Sequence, residues 1–371
     1  MKRFGFIVLA LMVSVPAWSA ERITVAELRG RIQSLHDSGK SDDDVSIKLA
    51  EVELSQSLSA ENVSSLESLL PGKESRDQLN FLATQSALLL PPNSEIPSTP
   101  TPELLTQKAI LGKCIEYVTK VYMHNPRLVA SKITTYSGNH IKDFHPADLG
   151  YLIGRNVPMT LGPYSTHTTE IESENGVERA APTTQAKNRP IESQISTGPV
   201  LSFVLAQAAE GAHLAWQRWQ LINGRPVSVF SFAVDKTKSK YQVNYCCFAR
   251  LEAKHSPGTY YFDDNAEPFK TTVPFHGELF IDPETGTVMR LIMQADFSAS
   301  DPVHREDTRI DYGSVKIEDR LVMVPMKAFT LVALVPRGNN DALGYQEILR
   351  YSDAKYSNYR PVGQRPLPGG K

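Results

Sequence analysis

The alternation of apolar and polar positions is sharpest between Phe275 and Phe297, FHGELFIDPETGTVMRLIMQADF. Phe275, Gly277, Leu279 and Ile281 alternate with His276, Glu278 and Phe280. Met289, Leu291, Met293, Ala295 and Phe297 alternate with Arg290, Ile292, Gln294 and Asp296. A period of two puts each set on its own face of a sheet. Between the arms, Asp282-Pro283-Glu284-Thr285-Gly286 predicts a tight turn, because Pro presets φ and Gly accepts the left-handed position. A hairpin is not stable alone in water, so its apolar face calls for further strands or a helix.

Residues 24–90 carry the 3.6-residue period of amphipathic helices. Thr24 with Glu27 makes a capping box ahead of Val25, Leu28, Ile32 and Leu35. Ser41 with Asp44 opens a second helix carrying Val45, Leu49 and Val52. Ser59 caps a third with Val63, Leu66 and Leu70, ended by Pro71-Gly72. A fourth, with Leu79, Leu82 and Leu88, stops before Pro91-Pro92. Residues 21–90 thus predict a small helical module, serving as a structural cap or as a partner-binding surface. PPNSEIPSTPTP, residues 91–102, predicts an extended linker, because proline at this density denies helix and sheet.

The spacing then predicts a helix over Glu103–Val121, with Leu104, Leu105, Ala109, Ile110, Cys114, Val118 and Val121 on its stripe. Strands are expected at 128–136 and 165–171, an irregular stretch at 140–163, and a polar loop at 172–195. Residues 198–209 are apolar nearly all round and predict a buried helix. Strands follow at 214–222, 227–234, 241–247, the hairpin, 305–317, 321–334 and 343–356, with a loop at 252–273. Successive strands with short turns predict an antiparallel meander, so the fold class is α+β. Residues 361–371 are rich in Pro and Gly and are expected to fray.

The start of the chain reads as a secretory signal over residues 1–20. Lys2 and Arg3 precede an apolar run, Phe4–Val15, too short to span a bilayer, and cleavage is expected after Ser19 or Ala20. No Cys lies there to take a lipid, and no later run is long enough to cross a membrane. The expectation is a periplasmic or secreted protein without a transmembrane segment after cleavage. The formal net charge of -2, with no basic block, argues against nucleic acid as a partner. Cys114, Cys246 and Cys247 are the three cysteines. The compartment permits a disulfide of Cys114 with Cys246 or Cys247, or three buried thiols.

Chemistry-bearing motifs are sparse. There is no G-x-S-x-G, H-E-x-x-H, G-x-x-x-x-G-K-[ST] or G-x-G-x-x-G, so no cofactor and no enzymatic activity are expected. His140 and His145 with Asp143 and Asp148 form either a zinc-binding loop or a solvated one. Cys114 is a thiol nucleophile or a core residue. Asp307 and Asp311 beside Arg305 and Arg309 read as a solvated strand face with weak ion pairs. Glu278 and Asp296 could meet in the hairpin, and would matter only in a cleft.

The segments AWQRWQ, FSFAV, KYQVNYCC and HGELFIDPETGTVMRL together resemble a group of uncharacterised secreted proteins of acidobacteria. These in turn look like the LolA/LolB lipoprotein carriers and the envelope sensor RseB. The resemblance spans roughly residues 127–356. It implies a LolA-like half-barrel, an incomplete antiparallel β-barrel with packed helices over residues 103–360, behind the helical module. It further implies a non-enzymatic protein that holds a lipid, a lipoprotein acyl chain or another hydrophobic ligand. The RseB likeness implies instead an envelope protein-protein interaction or sensor role. A hydrolase with an unrecognised site is the remaining alternative. The expected ligand lining is Trp216, Trp219, Phe230, Phe232, Met289, Leu291, Met293 and Phe297; the bland alternative is that these residues form a closed core. The LolB lipid-bearing Cys has no counterpart here.

Overall fold

A computed structural model of the chain describes residues 21–140, 160–174, 177–180, 201–211, 214–253, 260–334 and 348–363. The expected signal segment 1–20, the residues Asp143, His145 and Asp148, and residues 364–371 lie outside the described residues.

The N-terminal part begins with β1 (Glu21–Ile23), α1 (Val25–Asp37), α2 (Asp42–Ala50), β2 (Val52–Leu54), α3 (Ala60–Glu67) and α4 (Lys73–Gln85). The Thr24–Glu27 capping box forms, and Ser41 and Ser59 each cap their helix through the side-chain oxygen. Three expectations fail here: Val52 leaves the second helix for β2, which pairs in parallel with β1, and Leu70 and Leu88 lie beyond the ends of α3 and α4. Pairing with β2 gives the backbone of β1 partners that a longer α2 could not supply, and it puts Ile23, Val52 and Leu54 into the core with Leu28, Leu49 and Leu79.

The second part contains α5 (Leu104–Lys120), β3 (Leu128–His140), β4 (Thr160–Glu174), β5 (Val177–Ala180), α6 (Leu201–Gly211), β6 (Ala215–Ile222), β7 (Arg225–Val234), β8 (Gln242–Ala253), β9 (Tyr260–Thr272), β10 (Phe275–Ile281), β11 (Val288–Ala295), β12 (Val303–Ile317), β13 (Arg320–Leu334) and β14 (Ile348–Pro361). Ten of these strands form one sheet in the order β5-β4-β3-β14-β13-β12-β11-β10-β7-β6. Every pairing in it is antiparallel and its two edge strands, β5 and β6, do not meet, so the sheet is open. β8 and β9 pair as a separate hairpin, interposed between the neighbours β7 and β10. The expected loop at 252–273 is therefore largely strand β9. Within the expected loop at 172–195, β4 runs on to Glu174 and β5 follows.

The organising hairpin forms as its pattern predicts. Phe275 pairs with Ala295 and Leu279 with Leu291. In the turn, Asp282 Oδ1 accepts from the Glu284 and Thr285 amides at 2.8 and 3.0 Å, and Gly286 takes φ +76°. A bulge at Phe280/Ile281 shifts the register, so Ile281 faces Val288. Val288 thereby joins the core with Leu291 and Met293, while Met289 packs on the opposite face beside Phe280 and Ile292.

The face called inner here is covered by two helices. Ile110, Cys114 and Val118 of α5 and Leu201, Val204 and Ala208 of α6 pack on Phe230, Phe232, Phe275, Leu279, Leu291 and Met293. The stripe of α5 is narrower than its pattern predicts: Leu104, Leu105 and Val121 are exposed. The helix crosses the hairpin tip closely, and Lys113 Nζ donates to the carbonyls of Pro283 and Glu284 at 3.2 and 3.1 Å. The opposite, outer face receives the N-terminal module through Phe81 and Ala87, which pack on Phe329, Leu331 and Tyr351.

Candidate functional site

Two regions bring chemistry-bearing side chains together: the inner face of the sheet, and the seam between the helical module and the outer face.

At the β6 end, the inner face is an aromatic row. Trp216 stacks edge-on against Phe230 at 5.3 Å and against Trp219 at 4.9 Å. Phe232 meets Phe275 at 6.1 Å. Phe230, Phe232, Leu291 and Met293 are fully buried there, whereas Trp216 and Phe297 are half-buried at its margins. A register shift between Trp216 and Arg218 re-aims Trp219, whose Nε1 donates to the Pro100 carbonyl at 3.0 Å and ties the proline-rich segment to the sheet edge. Seven of the eight expected lining residues thus lie along or beside the inner face, and Met289 does not. Nothing in their side-chain types distinguishes a lining from a packed core.

The other half of the inner face is polar, and the apolar pattern did not reveal it. Lys132 Nζ pairs with Glu178 Oε1 at 2.5 Å, Tyr356 donates its hydroxyl to Glu178 Oε2 at 2.9 Å, and Lys132 lies over the Tyr356 ring at 5.4 Å. Tyr122 meets Tyr312 edge-on at 6.0 Å. Burial pushes the Tyr122 hydroxyl up to about 12 and holds Tyr312 and Tyr356 well above the ordinary tyrosine value. The signal available in sequence was the pair Tyr356 and Tyr359 on an otherwise polar strand.

Between these halves sits Glu306, buried, accepting from the Tyr241 hydroxyl at 3.1 Å. Burial raises its carboxyl to about 7; the Tyr241 hydrogen bond opposes this and the Asp307 charge adds to it. The nearby Thr308 hydroxyl is buried without a hydrogen-bond partner among the described residues.

On the outer face, Asp307, Arg309 and Asp311, expected to be solvated, are instead largely covered, while Arg305 stays exposed. Asp311 accepts from Arg290 and, at 2.8 Å, from Arg309. Burial works to raise the Asp311 carboxyl, but the two guanidinium groups outweigh it and hold it well below the usual range. Arg309 also donates to the Ala87 carbonyl at 2.9 Å, and Thr84 donates to Asp353 at 3.3 Å, so the module seats on this charged row. A cavity of about 270 Å³ remains in the seam, walled by α3, α4 and strands β12, β13 and β14.

The other candidates separate. Glu278 pairs with Arg218 at 2.6 Å, and Asp296 with His276 at 3.0 Å, so the two acids do not form a pair. Each faces a different partner across the ladder. Cys114 is a buried free thiol, pushed up to about 12 by burial, and so is not a thiolate at neutral pH. The side chains of its suggested partners, Cys246 and Cys247, lie outside the described residues, as does that of His140. Among the described residues no group of three His, Cys, Asp or Glu could hold a metal ion, and no helix is long and apolar enough to cross a membrane.

No family model matches the chain, and no curated protein matches it. Three solved structures align with it. A DUF1329 family protein from Desulfovibrio piger is 10% identical over 70% of this chain and 94% of its own, with a TM-score of 0.27. The MucA/MucB complex of Pseudomonas aeruginosa gives 9% identity over 71% and 100%, at 0.22. A putative outer membrane lipoprotein-sorting protein domain from Vibrio parahaemolyticus gives 11% over 70% and 95%, also at 0.22. TM-scores this low carry no argument about family or role, and the fold described above stands on its own strand pairing.

Proposed function

We propose that this chain is a bacterial-envelope binding protein, periplasmic or secreted, that holds a hydrophobic ligand against the inner face of an incomplete β-barrel and catalyses no reaction. The observation that supports this most is the aromatic row of Trp216, Phe230 and Phe232 running inward from the free edge strand β6. Of the two helices that cover the inner face, α6 lies against β7, and its Phe203 and Leu205 are only half-buried. A lipid or acyl chain enters at Trp216 and takes the place of α6 on the strip. Each methylene transferred from water contributes about 0.8 kcal/mol, so a chain of modest length offsets the lost helix contacts.

The test is uptake of a fluorescent fatty acid by delipidated protein, with native mass spectrometry of the secreted protein for a co-purified lipid. Uptake that weakens in Trp216→Ala supports the reading. No uptake, together with no co-purified lipid, rejects it. A second reading, an interaction or sensor protein, draws on the edge strand β6, whose outer side pairs with no other strand among the described residues and which a partner strand can extend. Pull-down from envelope extract, with and without residues 21–90, separates the edge from the helical module as the contact surface.

A further inference from the structure

We propose that the seam cavity binds a small amphiphilic anion, its carboxylate or phosphate held by Lys355 and Lys327 and its short apolar part lying under the helices. The cavity measures about 270 Å³. That is just under the usual range for ligand pockets, about 300–1,000 Å³, and too small for a long acyl chain. Leu58, Val63 and Ala83 make its wall on the module side apolar. The sheet side is cationic for a reason of register. Asp311 pairs with Lys327 and Lys327 with Lys355, so the three side chains form one transverse row across β12, β13 and β14. Arg309, Phe329 and Asp353 form the next row on the same face.

Asp311 is held by Arg290 and Arg309, and Asp353 Oδ2 by Lys327 at 3.1 Å, while Asp353 Oδ1 is buried without a hydrogen-bond partner among the described residues. Lys355 lines the cavity and has no acidic partner among the described residues. Glu67 on the opposite wall accepts from Asn80 at 2.9 Å and orients an anion toward the sheet side. A charge-assisted bond to Lys355 in this half-enclosed setting is stronger than one on an open surface. The site is separate from the inner face, so this inference does not rest on the lipid reading.

The test uses the full secreted chain, with binding of butyl phosphate, butanoate, inorganic phosphate and butylammonium followed by calorimetry and saturation-transfer NMR. Butyl phosphate or butanoate is expected to bind. Its affinity falls roughly tenfold or more in Lys355→Glu, an exposed position, and is lost in Ser64→Trp, which fills the cavity from an exposed wall residue. The circular dichroism spectrum and the urea midpoint stay close to the parent's in both variants, which reports that they are folded. The proposal is overturned if neither alkyl anion binds, if Lys355→Glu binds as well as the parent, if inorganic phosphate matches butyl phosphate, or if butylammonium does.

Discussion

Gly286 shows how one residue can join two elements. Its φ of +76° lies in the left-handed region, and a Cβ there would stand 2.4 Å from the Lys113 carbonyl carbon and 2.5 Å from its oxygen. Gly286→Ala therefore combines a strained turn with a clash against the α5 backbone, and should lower stability by about 2–4 kcal/mol. Urea unfolding measures this; a midpoint unchanged from the parent would contradict it. The turn itself was legible in the sequence, because Asp-Pro-x-x-Gly carries its own geometry. The helix crossing above it was not, since nothing local to Gly286 records Lys113.

Glu306 belongs to the same scale. Its folded pKa, about 7, lies above the usual carboxylate value. The unfolded chain therefore loses the proton first as pH rises. Stability involving Glu306 is complete below about pH 4 and is lost as pH climbs through 7, a total of roughly 3 kcal/mol. Asp307, raised by burial against the opposing pull of Arg305, shifts in the same direction. Chemical denaturation at pH 5 and pH 8 should show a drop that Glu306→Gln reduces; an equal drop in the variant would refute the assignment. Glu306 lies on the inner side of β12 with Thr308 and Ile310, opposite the Arg305–Asp311 row, and Tyr241, just ahead of β8, helps to bury it.

At the scale of elements, helices with side-chain caps were readable to within a residue or two, because capping and period are local properties. Strand β2 and strand β9 were not, since each is strand only by virtue of a partner. Register was partly readable: the inner set on β10 stands as predicted, but the bulge at Phe280/Ile281 moves Met289 to the outer face, and no sequence pattern announced it. The docking of the module is also an element-level property. Phe81 on α4 meets Tyr351 edge-on at 5.8 Å and lies 4% exposed, with Arg309 bonded to the Ala87 carbonyl alongside. Phe81→Ala should cost about 3–5 kcal/mol. If docking depends on this contact, limited proteolysis within residues 91–102 will accelerate while the sheet stays intact. Unchanged cleavage would show that the charged row alone holds the module.

The whole molecule is organised by one long-range pairing. β14, from the end of the described chain, lies between β13 and β3, so that Ala354 faces both Ala328 and Thr134. This joins two meanders into a single open sheet with an apolar inner half and a tyrosine-rich, charged inner half. Such contacts close long loops, and their entropy cost is recovered only when the whole sheet forms. The covered charge row and the seam cavity are products of the same assembly, since neither α3 nor β14 carries the site alone.

By itself, the amino-acid sequence determined the helical start, the strand-rich remainder, the organising hairpin and the apolar identity of most inner-face residues. These follow from periodicity and from Pro, Gly and capping chemistry, which act over a few residues. Tertiary structure alone decided which strands are neighbours, which helices cover the inner face, where the charges on β12, β13 and β14 align, and that a cavity lies beneath α3 and α4. Those outcomes depend on side chains brought together from far apart in the chain, and a linear pattern holds no distance between them.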